Sequence, residues 1–270
     1  MAAEDWALRI HHRGAELARL SWDDLLRRPA QEQVFTLESI GNPPGGPWIG
    51  TAYWRGAALA NLLPPLPPET SHLKLTGADG YQTCIPLEAA YEAGTLLAYE
   101  MNGGPLPLQQ GYPVRLLVAG RYCQKMPRWL VEIEALAYPI LGYWERYGWS
   151  DAALVKTKAA ITFPADRARI SGRVRLEGYA YAGMRGISAV EVRLNGGAWQ
   201  AATLTPPPNP GAWTRWHYLW PSGAAGVYQI QARATDSEGY TQNEYLNPFR
   251  HEAQKAGDGR IHQILVEVLP

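Results

Sequence analysis

An α+β domain followed by an antiparallel β-sandwich of immunoglobulin type is the architecture this sequence predicts, on three observations. Turn formers are abundant: there are 27 Gly and 22 Pro in 270 residues, about 18% against the ~12% of an average chain. Helix signals are confined to the first ~150 residues, where they alternate with strand signals. Beyond about residue 155 they vanish, and short alternating strands separated by tight turns take over. The expected domains are therefore 1–152 and 153–270.

SWDDLLRRP opens with Ser21 as a helix N-cap and Asp24 three residues on, and Pro29 ends it. WRGAALANLL, at 54–63, predicts a second short helix stopped by the PPLPP run at 64–68. HLKLTGADGYQTCIP predicts two strands about a turn at Asp79 and Gly80. In PLEAAYEAG, Pro86 suits the first helical position and Gly94 the stop. TLLAYEMNGGPLP is a strand entering an Asn-Gly turn, and PVRLLVAG is apolar enough to be buried on both faces.

The stretch 154–172 is expected to join the domains. After it, SGRVRLEGYAYA, AVEVRLNGGAWQAATL and GVYQIQARATD read as strands. Val190, Val192 and Leu194 face one way, Glu191 and Arg193 the other. PPPNPG at 206–211 is a hairpin loop. AWTRWHYLW at 212–220 reads as a structural strand; an exposed row of the same rings would suit a sugar-binding module.

Lys plus Arg equals Asp plus Glu at 25 each, so the net charge is zero. That excludes the broad basic field needed for nucleic acid or an anionic membrane surface. No apolar run approaches the ~20 residues that span a bilayer. MAAEDWALRI has neither a basic n-region nor an apolar h-region, so a cytoplasmic protein is expected. Cys84 and Cys123 allow one disulfide at most. The six His show no metal-ligand spacing, and there is no GxSxG, HExxH or CxxCH.

Three blocks in order carry a family resemblance: FTLESIGNPPGGPWIGTAYWRGAALANLL, then LLAYEMNGGPLPLQQGYPVRLLVAGRYCQKMPRWLVEIE, then the sandwich with EGYAYAG, VEVRLNGGAWQAATL and RATDSEGYTQ. Together they resemble the sulfite oxidase family of molybdenum enzymes, across nearly the whole chain. The resemblance implies molybdopterin in an α+β domain, a metal held by the pterin dithiolene and one protein cysteine, and a dimerising immunoglobulin-like sandwich. It implies oxygen-atom transfer on a small-molecule substrate, with an external electron partner such as a cytochrome. Family members carry a further segment ahead of DWALRI, and many are exported, so a periplasmic location follows if the N-terminus is truncated.

Residue by residue, the resemblance implies that Arg115 meets the pterin phosphate and that Asp79 accepts from pterin N–H groups. Gly120, Arg121, Lys125 and Trp129 fall on the loop that wraps the cofactor. Tyr147 falls near a tyrosine that approaches the metal, a catalytic position. Ser39 stands where the family has its metal-binding cysteine, so it is the candidate metal ligand. Gln110 replaces a histidine beside the pterin, and Arg128 a lysine. Pro43 and Pro44 replace arginines of sulfite-oxidising members, which removes cations suited to a dianion and implies a substrate other than sulfite. Serine is a far weaker acid than cysteine, so the alternative is a non-catalytic member that keeps the fold for cofactor binding or protein interaction. Cys123, in the same loop, reads as a packing residue, with a substitute thiolate as the other reading.

Overall fold

The computed structural model describes residues 2–221, 223–242, 255 and 257–270. It divides into two compact units, Met1–Ile40 with Gly50–Leu154, and Gly41–Ile49 with Val155–Pro270. The short excursion at 41–49 therefore belongs with the C-terminal unit, which a single boundary in sequence does not anticipate.

In the first unit the order is β1 (Ala7–His12), β2 (Ala15–Ser21), α1 (Trp22–Leu26), β3 (Ala30–Glu38), β4 (Ile49–Ala58), β5 (His72–Gly77), β6 (Gln82–Pro86), α2 (Leu87–Tyr91), β7 (Leu96–Met101), β8 (Gly104–Pro105), β9 (Arg115–Leu117) and β10 (Leu130–Leu136). One sheet runs β2-β1-β10-β5-β6; the other runs β3-β4-β7-β8, with β9 added to β7. The unit is mostly β, and both its α-helices are only five residues long. At α1 the Ser21 side chain accepts from the Asp24 N–H while Asp24 accepts from the Ser21 N–H, the reciprocal cap that the sequence predicts. Pro86 sits at the N-cap of α2, one position earlier than expected.

The expected helix at 54–63 does not form. Its first half completes β4, and only Leu59–Asn61 turns, as a single 3-10 turn. Cross-strand pairing with β7 overrides the local preference. A β-carbon at Gly56 would lie 2.2 Å from the Leu97 carbonyl oxygen, so this pairing needs glycine there. Trp54, on the same strand, is buried and donates from Nε1 to the Phe35 carbonyl.

The second unit holds β11 (Lys158–Phe163), β12 (Ala168–Ile170), β13 (Val174–Tyr181), β14 (Ile187–Leu194), β15 (Gln200–Ala201), β16 (Thr203–Thr205), β17 (Thr214–Trp220), β18 (Gly226–Asp236) and β19 (His262–Val268). They form two sheets, β11-β13-β17-β16 and β12-β19-β18-β14-β15. Leu176, Val190, Val192, Trp216, Trp220, Ile230, Ile264 and Val266 share one core. Each large side chain so buried contributes about 1.5–3 kcal/mol. Trp216 and Trp220 are core residues, so the structural reading of that strand holds and the sugar-stacking row is absent. The stretch 154–172 is no mere linker: it supplies β11 and β12.

β11 lies at a sheet edge, and side chains take up its outward N–H groups. Gln242 Oε1 accepts from Ala159 at 2.8 Å, and His262 Nδ1 accepts from Ile161 at 2.9 Å. Gln242 is fully buried and also accepts from Ala234 while donating to the Gly259 and Arg260 carbonyls. All its hydrogen-bonding capacity is used, as burial requires. Among the described residues no helix is long and apolar enough to cross a membrane.

One polar knot fixes the loops of the first unit. The Lys125 ammonium, 1% exposed, donates to the Cys84 carbonyl at 2.8 Å and to Asp151 Oδ1 at 2.9 Å, and pairs with Glu145 Oε1 at 2.6 Å. An ammonium has three donors, and all three are taken. Glu145 also accepts from Thr83 and Gln124. The loop after β9, strand β6 and the segment at 141–151 are thereby tied together.

Two outcomes are expected. Lys125→Met should lower stability by about 3–5 kcal/mol in denaturant unfolding, because Glu145 is left buried without its counter-charge. The second concerns pH: burial holds the His262 pKa below its ordinary value of 6.5. The unfolded state then binds the proton more readily, so stability is full above about pH 6.5 and falls as pH drops towards the folded pKa. An imidazolium cannot accept from Ile161. Melting temperature measured from pH 7.5 to 5.5 should fall, and His262→Asn, whose amide oxygen can still accept, should flatten that part of the profile.

Candidate functional site

β9 and the loop after it carry the candidate site. Arg115 opens β9 and is 4% exposed, although it is an arginine. Its Nη1 donates to both the backbone carbonyl and the side-chain Oε1 of Gln110, at 3.3 and 2.8 Å. Both acceptors are neutral. Its Nε is buried with no partner. The guanidinium carbon sits 5.6 Å from the Trp54 ring centroid, a contact that offsets part of the desolvation. Burial, helped by the charge of Arg128, pulls the Arg115 pKa down to about 10.

Arg128 is the backbone bridge partner of Arg115 in an antiparallel pair. Gly111 lies against both: a β-carbon there would meet the Cβ atoms of Arg115 and Arg128 at 3.0 Å. Its φ of +109° also favours glycine. Arg128 is exposed, donates to the Gln109 carbonyl at 2.7 Å and stacks over Trp129 at 5.3 Å. The two arginines are thus backbone neighbours, and their guanidinium groups are hydrogen-bonded only to carbonyl and amide oxygens in the described residues. Two cations on adjoining segments give a locally positive region on a chain of zero net charge.

Cys123 begins the 3-10 turn Cys123–Lys125 in the loop after β9. Its thiol is free and partly buried. The charges of Arg115 and Arg128 act on it, and the Glu38 backbone N–H donates to it. Burial nonetheless pushes the thiol pKa up, and the Glu38 carboxylate adds to that rise. Glu38 is the last residue of β3, and Ser39 follows it, half-buried just past the strand end. The proximity of Cys123 to β3 was not readable from sequence; its only signal was membership of the loop.

Other expected residues meet different fates. Asp79 is exposed in the β5–β6 turn, accepting from the Tyr81 N–H at 3.1 Å. The adjoining Ala78 N–H donates to the Trp129 carbonyl, so this turn abuts the Arg128 loop. Gly120 takes φ +68°, turning the chain after β9. Arg121 is engaged elsewhere: its Nη1 meets both Glu92 oxygens and the Ala119 carbonyl. The Lys125 ammonium, with all three donors taken, has none left for a phosphate. Both side chains shape the loop through neighbours within the protein.

Tyr147 is 59% exposed, its ring 5.4 Å from Tyr143 and 6.4 Å from Trp144 in an aromatic surface cluster. A tyrosine that does reach the loop after β9 is Tyr81, whose hydroxyl donates to the Gln124 carbonyl at 2.6 Å. Sequence reading missed Tyr81, and its place beside the Asp79 turn was the available signal. Pro43 and Pro44 bring no charge to the loop after Ser39, where Gly46 N–H closes a turn on the Pro43 carbonyl. Among the described residues no cluster of three His, Cys, Asp or Glu can hold a metal unaided.

Comparison with known proteins accords with this geometry. Residues 1–144 match the oxidoreductase molybdopterin binding domain, and residues 152–248 match the Mo-co oxidoreductase dimerisation domain. The mitochondrial sulfite oxidases of Macaca fascicularis and Homo sapiens are each 33% identical over 287 aligned residues, covering 87% of this chain and 53% of theirs. The chain thus spans about half the length of those relatives. The crystal structure of the sulfane dehydrogenase SoxCD from Paracoccus pantotrophus superposes with a TM-score of 0.84 at 23% identity, covering 97% of this chain and 76% of that one. At that identity the likeness speaks for the fold. Two matched domains in family order, over most of the chain, place the protein in the sulfite oxidase family of molybdopterin oxidoreductases.

Proposed function

We propose that this chain binds molybdopterin through Arg115, Arg128, Gln110, Gly120 and Asp79, and serves as an oxidoreductase of the oxygen-atom-transfer class. The observation that carries the reading is the buried, partly unpartnered guanidinium of Arg115. A buried charge without a counter-ion is costly, and a phosphate would supply one through charge-assisted hydrogen bonds. The donor set fits that group: two guanidinium forks, an amide and a glycine-opened loop, with Asp79 as an acceptor for ring N–H groups.

When bound, the cofactor supplies a metal that exchanges two electrons and an oxygen atom with the substrate. The chain's own part is to hold the pterin's charge on Arg115 and Arg128. Packing does the rest, as β7 and β9 keep water from the apolar side of the site. Neutral Pro43 and Pro44 favour a small substrate other than dianionic sulfite. The electrons pass to a separate carrier, such as a cytochrome. The second unit reads as an immunoglobulin-like sandwich through which two copies pair. A non-catalytic cofactor-binding member is the second reading, and the hydroxyl of Ser39 in a thiolate position favours it.

Purified from a host that makes the cofactor, the protein should release oxidised pterin fluorescence near one equivalent per chain. Arg115→Gln should cut that yield tenfold or more, and Arg128→Gln severalfold. Undiminished pterin in Arg115→Gln would overturn the site. Light scattering of the loaded protein should give a mass of two chains; a monomer would remove the pairing role. Electron transfer to an artificial acceptor from oxidisable sulfur compounds separates the enzyme from the non-catalytic reading.

A further inference from the structure

The outer face of the β14, β18 and β19 strands is put together like a surface that meets its own copy. Along β18, Val227, Gln229, Gln231 and Arg233 point away from the core that takes Ile230, Ala232 and Ala234. On β19, Gln263 and Leu265 stand beside them, Gln263 opposite Gln231 and Leu265 opposite Gln229. The middle of the face on these two strands therefore holds amides and apolar groups and no charge. Gln263 Oε1 accepts from Gln229 Nε2 and from Gln231 Nε2, at 3.3 and 3.4 Å. The NH2 group of Gln263 and the Oε1 of Gln229 have no partner among the described residues.

We infer that two copies of this chain pair through this face, with Gln231, Gln263 and Leu265 nearest the two-fold axis. This rests on the pairing reading above and on the dimerisation-domain match over residues 152–248, which takes in β14 and β18. At a two-fold axis each side chain lies near its own copy. A charge there repels itself, whereas an amide is donor and acceptor at once and can bond to its twin. Ion pairs stand at both ends of the face, Glu191–Arg233 at 2.7 Å and Glu267–Arg169 at 3.1 Å. An axis lying across the strands between them sets one pair upon the other, cation against carboxylate. At one rim the guanidinium carbons of Arg193 and Arg233 lie 4.6 and 4.3 Å from the Trp199 ring centroid. Trp and Arg are the residue types that most often anchor an interface. The opposite sheet offers less. On its outward row Tyr179 is already buried, stacked on Trp213 at 4.8 Å, and Arg175 is paired with Glu177 beside it.

Sedimentation equilibrium across a wide range of protein concentration tests the assignment. The unaltered chain should sediment as two copies. Leu265→Arg and Gln231→Glu set like charges against each other across the axis, and each should raise the dimer dissociation constant at least tenfold. Leu219→Arg, at an exposed position on the opposite sheet, should leave that constant unchanged. Circular dichroism checks that each variant is folded, and the two positions stand in for one another if one is not. Pairing that survives both substitutions, or is lost equally in Leu219→Arg, overturns the face and leaves the pairing role standing. A single-chain mass for the unaltered protein at every concentration defeats both.

Discussion

The buried ammonium of Lys125 is the constraint on which the first unit's functional end depends. Two segments distant in sequence converge on it: β6 through the Cys84 carbonyl, and the segment at 141–151 through Glu145 and Asp151. An ion pair in a low-dielectric interior gives little net stability, because both partners must be stripped of water. What it gives is position. Each of the three donors has one acceptor, so the Cys123–Lys125 turn has a single rotational setting. The thiol, the Tyr81 contact and the bend at Gly120 inherit it. Were the knot apolar, the loop could slide without leaving a charge unmet.

That fixed loop faces an arrangement which the protein alone does not satisfy. Arg115 and Arg128 bridge across two antiparallel segments with Gly111 pressed between their β-carbons. Nothing anionic on the chain is hydrogen-bonded to either guanidinium in the described structure. Other buried charges meet an opposite charge, as Lys125 does at Glu145 and Asp236 at Arg185. Arg115 has only neutral acceptors, which is why an external anion is the partner proposed for it.

Much of this was legible beforehand, where the signal was local or strongly periodic. The cap at Ser21 and Asp24, the Asn102–Gly103 turn and the alternation of Val190 with Val192 depend on a few neighbouring residues. The segment at 54–63 misled because its helix-favouring alanines are held extended by pairing with β7, a partner some forty residues away. The segment at 154–172 looked like a tether because β11 and β12 earn their strand character from β13 and β19 alone. For the site, type and approximate place were readable: Arg115 in an apolar strand cannot lack a partner. The engagement of Lys125 and of Arg121 with Glu92 was not readable, since the acceptors of Lys125 lie about 20 to 41 positions away and Glu92 lies 29 from Arg121. Nor was the nearness of Cys123 to β3, a contact across 85 positions with no periodic trace.

The sealed border of β11 has a bearing on assembly. The other three outer strands of the second unit, β12, β15 and β16, are two or three residues long. Too few backbone groups are presented there for a neighbour to dock as an extra strand. On β11, the longest outer strand, Gln242 and His262 already occupy the outward N–H groups of Ala159 and Ile161. Among the described residues, the outer strands thus offer a neighbour few free backbone groups for extending either sheet. That favours pairing of this unit side chain against side chain, face upon face, which would yield a closed pair and oppose the open-ended ribbon that exposed β edges would seed.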